Sequence, residues 1–527
     1  MTTSVNTDEP AFSLPSLPHL RVITRARGTH PAMAAPATLA DVAGPWDHVW
    51  ARGETSMVGA GEVLRLQARG DGRIDALASA WRALSSAATV DDAVATSGTG
   101  LAAFSSVAFS RASGRDSVLI VPRVVWGRNG DLAWITVILD PEEADALGPD
   151  PSRDDLEAYA AQVRGEAAGG GASGGEVADR AGARIADDAH TSEARFQAGV
   201  REAIQRIRSG ELAKAVLSRD VTVDVPGGVQ VVPTLQALAA RYTDCWVYSV
   251  DGIIGATPEM LIEAHEGIAR ARVLAGTLDR ANHGEDGAFQ LANDQKQIEE
   301  HQYAIDSLVE ELEPFVTELH SPAAPFVLTL PNVWHLASDV RARIGASETG
   351  PFSVLDLLRA VHPTAAVCGT PRLLAGRIIR DIERVDRGAY AGPVGWVDAR
   401  GNGEFGIALR CGVLEGYGPT EPTAAHVGQG TFPTEVTLTR PGGDGDGVRG
   451  CAAESNEGQD RGDTAGMRVP ERIRLWAGCG IVADSEPAAE LQETWAKMRP
   501  MLQALGVAAP RPQLGEGFSR GRGERAV

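Results

Sequence analysis

The apolar positions Phe196, Val200, Ile204 and Ile207 recur on one helical face, and Gly210 marks the stop of the helix they predict. The run that follows, AKAVLSRDVTV, has the pattern of a strand, and alternation puts Lys214, Val216 and Ser218 on one side of it. A second helix is predicted from Ile298, Ile305, Val309, Leu312 and Val316, with Glu300 and His301 near its start. Close to the C-terminus, Leu491, Trp495, Met498 and Leu502 make the buried face of a helix that Ser485 is placed to cap. Glu490, Glu493 and Lys497 share its other face. Further strands are expected in SVLIVPRVVW, LAWITVIL, FGIALRCGVL and RIRLWAGCGIV, and a helix in IDALASAWRAL.

These patterns divide the chain. Residues 1–19 and 510–527 are polar, or rich in Gly and Arg, and are expected to lack fixed structure. Residues 20–163 hold strands and a helix without a chemical motif and read as scaffold. The Gly- and Ala-rich run at 164–178 reads as a flexible linker. A stretch dense in Gly, Pro, Asp and Thr at 416–469 reads as an insertion between two strands, in which EVTLT is the one candidate for an extra strand.

The chain has 527 residues, enough for a large core, and 43% of them are hydrophobic, as in an ordinary globular protein. Its net charge of −21 argues against nucleic acid and anionic membranes as partners, so an anionic ligand would need a local positive site or a cation. The five cysteines are scattered without a C-x-x-C pair, which suggests neither a zinc site nor a disulfide framework. With no apolar run approaching about 18 residues and no basic leader, a cytoplasmic location is expected.

Candidate chemistry follows from residues that are costly where the pattern puts them. A lysine in an apolar strand either snorkels from the strand end or faces a polar cavity with a lowered pKa, which makes Lys214 a candidate base. Glu259, in the turn GATPEM, is either a solvated carboxylate or a general acid. Glu300, Glu490 and Glu493 either decorate helix surfaces or form an oxygen-rich magnesium site. Gly478 and Gly480 in AGCGIV make a tight turn or let backbone N–H groups approach an anion. Arg410, read as mid-strand, needs a partner: a structural carboxylate or a ligand's.

In order along the chain, KAVLSR, GATPEML, LAGT, EEHQ, VWHLAS, HPTAAVCGTP, RGAYAGPVG, IALR and AGCGIVADSEPAAELQET resemble the motifs of the chorismate-utilising enzymes, and within them of the isochorismate synthases. The resemblance covers residues 190–505, interrupted by the insertion. It implies an α/β (α+β) fold, a large sandwich of antiparallel β-sheets with outer helices, in which the N-terminal part packs into the same body. It also implies Mg²⁺ held by Glu300 and Glu493 with Glu490 close by, and no organic cofactor.

The resemblance implies chorismate as the small-molecule substrate and a monomer or weak homo-oligomer as the assembly. Arg410, Tyr390 and the backbone at Gly478, Cys479 and Gly480 would hold a substrate carboxylate, while Gly276, Thr277, His335 and Lys497 line the pocket. Lys214 would activate water for attack at ring C2, and Glu259 would protonate the departing C4 hydroxyl, giving isochorismate for menaquinone or siderophore biosynthesis. Members that go on to eliminate pyruvate typically carry Thr where this sequence has Ala366, so the resemblance implies a reaction that stops at isochorismate, with salicylate synthase, and a non-catalytic chorismate-binding protein, as the alternatives. Two departures stand out: Gln297, where an acidic residue is common, and Cys479, in place of a small Ala.

Overall fold

The computed structural model describes residues 12–27, 44, 47–168, 182–188, 191–280, 286–331, 333–348, 350–416, 433–440 and 469–508. Within them two large sheets form, one of 13 strands and one of 11. Their pairings are antiparallel apart from Arg21–Ala26 beside Thr89–Asp92. The chain's first part is not a separate layer. Strand His48–Arg52 pairs with Trp246–Val250 in the larger sheet, and Ala102–Ser106 pairs with Pro393–Asp398 in the smaller, so both sheets mix strands from the two ends of the sequence.

The inner faces meet in one apolar core that includes Trp50 and Tyr248 from the larger sheet and Phe104, Trp396 and Phe405 from the smaller. A second core lies on the other face of the larger sheet, where Val221, Val223 and Ile254 pack under Leu235, Leu238, Met498 and Leu502 of two helices. This is the expected sandwich with outer helices. Burial of wide apolar faces on both sides of the larger sheet explains why its strands read as continuous hydrophobic runs.

Helix Glu193–Arg208 forms as its pattern predicts: Ser192 Oγ accepts from the N–H of Arg195, Phe196, Val200, Ile204 and Ile207 are buried, and Gly210 follows at φ 80°. Strand Lys214–Asp224 is also where the sequence puts it, and helix Gln295–Leu312 forms as predicted but stops short of Val316: the chain tightens into the turn Glu313–Phe315, where Pro314 cannot continue the helix, and Val316 opens strand Val316–His320. EVTLT is a strand, Glu435–Thr439, that adds to the edge of the smaller sheet against Leu64–Arg69.

Four more expectations change. Phe12 and Leu17 lie against the core, so the part of 1–19 within the described residues is packed; the proposed tail 510–527 lies outside them. Helix Arg153–Ala168 runs into the predicted linker, whose remainder also lies outside the described residues. The AGCG glycines are inside strand Arg472–Ile481 rather than in a turn after it. Helix Pro487–Ala504 has Glu486 at its N-cap position without a side-chain cap, while Ser485 Oγ accepts from the N–H of Val482 at 3.1 Å and closes the preceding turn. Cys245, Cys368, Cys411 and Cys479 are buried free thiols, and Cys451 lies outside the described residues. Among the described residues no helix is long and apolar enough to cross a membrane.

Candidate active site

Two strand pairs cross from one sheet to the other side by side. Ile253–Thr257 belongs to the larger sheet and Met260–His265 to the smaller, and Cys411–Leu414 and Gly403–Ile407 stand in the same relation. The crossings hold each other: the N–H of Ala256 donates to the Arg410 carbonyl at 3.3 Å, and that of Ile407 to the Glu259 carbonyl at 3.1 Å. Glu259 and Arg410 sit at this seam, both buried. Arg410 is therefore not mid-strand. It is the corner residue between two strands, with a left-handed φ of 49°, a conformation that costs a side-chain-bearing residue roughly 1 kcal/mol or more and is kept where the surroundings fix it.

The seam forms one wall of a cavity of about 380 Å³. Every predicted site residue except Glu300 lines it: Lys214, Glu259, Gly276, Thr277, His335 and Ala366 on one part of the circuit, and Tyr390, Arg410, Gly478, Cys479, Gly480, Glu490, Glu493 and Lys497 on the rest. Glu300 lies on helix Gln295–Leu312, and its side chain is outside the described residues. Gln297, three residues earlier on that helix, lines the cavity.

Local sequence chemistry explains the shape. The strand pairing slips by one residue between Ala275 and Thr277, and Gly276 takes φ 82° at this bulge with Gln297 Oε1 2.9 Å from where a Cβ would stand. Gly480 is paired with Val216, and a Cβ there would lie 2.7 Å from Lys214 Cε, so the glycine leaves the lane through which the lysine side chain runs. Strand Cys411–Leu414 ends opposite Trp476, and beyond it the Gly478 carbonyl accepts from Lys497 Nζ at 2.8 Å. Cys479 replaces a small residue without blocking the cavity: its thiol is buried and directed at the Glu490 carbonyl, 3.7 Å away.

The electrostatics of the lining groups differ sharply. Burial raises the Glu259 carboxyl to about 7, against the opposing pull of Arg410. Burial, reinforced by Arg410, holds His335 well below the ordinary histidine value, so it is neutral. Burial and then the adjacent Glu493 raise Glu490. Glu493 is paired with Lys497 at 2.6 Å.

Sequence reasoning missed the pair Glu383 and Arg387. Arg387 lines the cavity and is clamped by both Glu383 oxygens, Nη2 to Oε1 at 2.5 Å and Nε to Oε2 at 2.9 Å, while Glu383 also accepts from the N–H of Ser218 at 2.7 Å. Helix Arg372–Glu383 ends at Glu383 and Arg387 lies in the loop beyond it, so helical spacing carried no signal of the pair.

A cavity at the seam of a two-sheet sandwich thus gathers a buried acid, a lysine and an arginine. The family model for chorismate binding enzymes matches residues 46–418 and 465–506, and this chain belongs to that family. The match breaks where the sequence carries its insertion. The chain is 29% identical over 314 residues to the isochorismate synthase MenF of Bacillus subtilis, an alignment covering 58% of this chain but only 54% of that protein. It is 30% identical over 326 residues to the isochorismate synthase DhbC of the same organism, covering 59% of this chain and 68% of that one. Among solved structures, the menaquinone-specific isochorismate synthase MenF from Escherichia coli superposes with a TM-score of 0.63 at 22% identity, covering 94% of this chain and 96% of that chain, a likeness of fold.

Proposed function

We propose that this protein is an isochorismate synthase, an isomerase that converts chorismate to isochorismate. The observation that carries the reading is a carboxyl with a pKa of about 7, Glu259, in the same cavity as Lys214. Such a group is partly protonated at neutral pH and is matched to general acid work. In the reaction, Lys214 takes a proton from a water that adds at ring C2, the ring double bond shifts, and Glu259 donates the proton with which the C4 hydroxyl leaves as water. Atoms balance: one water enters and one departs.

Arg410 is the candidate for a bidentate grip on a substrate carboxylate, because its guanidinium is planar and faces the cavity. Its partner His335, neutral and buried, orients it without adding charge. Ala366 offers no hydroxyl near the substrate, which favours a reaction that stops at isochorismate over one that continues to salicylate. Relatives with the same name serve menaquinone and siderophore biosynthesis, and either route is compatible with this chain. A cytoplasmic location and a monomeric or weakly associating state complete the reading.

The donor set also fits Mg²⁺. Glu490 and Glu493 lie three residues apart on one helix and both line the cavity, where burial and then Glu493 raise Glu490. Among the described residues no group of three His, Cys, Asp or Glu side chains is arranged as a metal cage. The ion would therefore be held by Glu490, Glu493 and Glu300, together with substrate oxygens and water, as magnesium commonly is. Bound there, it would neutralise the substrate's ring carboxylate.

The test is incubation of the purified protein with chorismate, with and without Mg²⁺, and identification of products by chromatography and mass spectrometry. Magnesium-dependent isochorismate without pyruvate is expected. Salicylate with pyruvate, or binding without conversion, would overturn the assignment.

A further inference from the structure

A second cavity, about 210 Å³ in volume, shares a wall with the first. The segment between His362 and Arg372 contributes Ala366 and Val367 to the catalytic cavity and His362 and Cys368 to the second, and Arg387 lines both. In a chain of net charge −21, this second cavity is lined by seven arginines and four carboxylates.

The carboxylates are already engaged. Asp75 pairs with Arg359 at 3.1 Å, Glu383 is held by Arg387, and Asp71 lies 3.4 Å from Arg111. Asp386 accepts from Ser113 Oγ at 2.8 Å and from the N–H of Gly114 at 2.9 Å. Arg377 and Arg380, one turn apart on helix Arg372–Glu383, have no ion-pair partner among the described residues. Arg73 is 6% exposed, and its Nε is buried without a hydrogen-bond partner. A buried unpaired donor is costly unless something completes it. Burial, with Arg111 and Arg377 adding to it, pulls Arg380 down, and burial takes Arg73 to about 10; the cluster is short of negative charge.

Beside Ser110, Ser113 and His362, the remainder of the lining is apolar. Phe109 and Ile74 are buried, while Leu373 is 67% exposed at the rim, an unusual position for a large aliphatic side chain with solvent on one side. A phosphate or other bare oxyanion would leave this surface unused. We propose that this cavity is a second ligand site, for a small aromatic carboxylate whose ring lies on Phe109, Ile74 and Leu373 and whose carboxylate is held by Arg111, Arg377 and Arg380. Planar carboxylate recognition by several guanidinium groups beside an apolar wall is the chemistry these residues can perform. The shared segment and Arg387 give an occupant a direct mechanical contact with the wall of the catalytic cavity.

The experiment is saturation-transfer NMR and calorimetric titration of the full chain with naphthoate, with inorganic phosphate as the control, in the presence of saturating chorismate. Binding is read directly, so the result is independent of whether the catalytic assignment holds. Naphthoate is expected to bind with chorismate present, and to bind about tenfold or more weakly in each of Arg377→Ala and Arg380→Ala. Both positions retain enough solvent contact for the fold to be preserved, which an unchanged melting temperature would verify. Lys214→Ala should bind naphthoate like the parent. Displacement by chorismate, unchanged affinity in both arginine variants, equal affinity for phosphate, or no binding at millimolar naphthoate would each overturn the proposal.

Discussion

Arg410 Nη2 lies 3.1 Å from His335 Nε2, and both side chains are buried at the cavity wall. A guanidinium can only donate, so Nε2 must be the unprotonated nitrogen of a neutral ring. The proton then sits on Nδ1, which is 3.0 Å from Thr277 Oγ1 and 3.3 Å from the Gly276 carbonyl. Donation thus runs from Arg410 through His335 to the Gly276 carbonyl at the bulge, and it fixes the direction in which Arg410 presents its remaining N–H groups.

Replacing Arg410 by Lys keeps the charge and removes the fork. KM for chorismate is expected to rise by about tenfold or more, the loss of a charge-assisted hydrogen bond in a water-poor site, with a smaller change in kcat. His335→Phe should raise KM in the same direction with Arg410 intact. Steady-state kinetics check both, and an effect on kcat alone would contradict a binding role.

Glu259 must be protonated to act, and its pKa is about 7. Activity should therefore be present below that value and fall as pH rises through it, and Glu259→Gln should lower kcat by about 10²-fold to 10⁴-fold while chorismate still binds. Stability gives an independent check. The folded value is raised above the ordinary carboxyl value of 4.5, so the stability this group permits is full below pH 4.5 and is lost as pH rises through about 7. The Gln variant should gain on the parent between about pH 5 and pH 8; a melting-temperature difference that is the same at both ends would rule out the shift.

Gly480→Ala puts a methyl group 2.7 Å from Lys214 Cε. The flexible lysine yields rather than the strand, so the melting temperature should change little. A base displaced by about 1 Å loses on the order of 10²-fold in kcat. Full activity in this variant would mean that Lys214 does not act from the lane beside Gly480.

Much of this arrangement was legible in the sequence, for reasons that are local. Helical spacing located Glu193–Arg208 and Gln295–Leu312, and alternation located Lys214 on a strand face. The seam was not legible. Arg410 reads as mid-strand because FGIALRCGVL is apolar throughout, and only pairing with Ile253–Thr257 and Met260–His265, more than a hundred residues away, turns it into a corner. Gly478 and Gly480 read as a turn because glycine usually marks one; inside Arg472–Ile481 they are instead vacated side-chain positions that other groups use. The second layer of support, Glu383 beneath Ser218 and Arg387, depends on a helix end and the loop after it meeting a strand, which no local pattern announces.

Glu383 and Arg387 are 4% and 2% exposed at their side chains, and each is the other's principal compensation. Glu383→Ala leaves a guanidinium buried without a counter-ion and strips an acceptor from Ser218. A loss of about 3–5 kcal/mol in unfolding free energy is expected, measurable by denaturant titration, with Glu383→Gln intermediate. A loss below about 1 kcal/mol would mean that water reaches the pair.

The carboxylates on helix Pro487–Ala504 provide the last prediction. Burial and Glu493 together raise Glu490, so a divalent cation that binds both must displace a proton as well as relieve repulsion. Mg²⁺ alone should therefore bind more tightly as pH rises above the ordinary carboxyl range, and should raise the melting temperature by mass action. Glu490→Gln removes one ligand and the repulsion together. It should abolish the magnesium-induced rise in melting temperature while leaving the metal-free protein as stable as the parent or more so. Calorimetric titration with Mg²⁺ decides the matter: heat of binding in the parent that is lost in Glu490→Gln is the expected result, and the same binding in both would place the ion elsewhere.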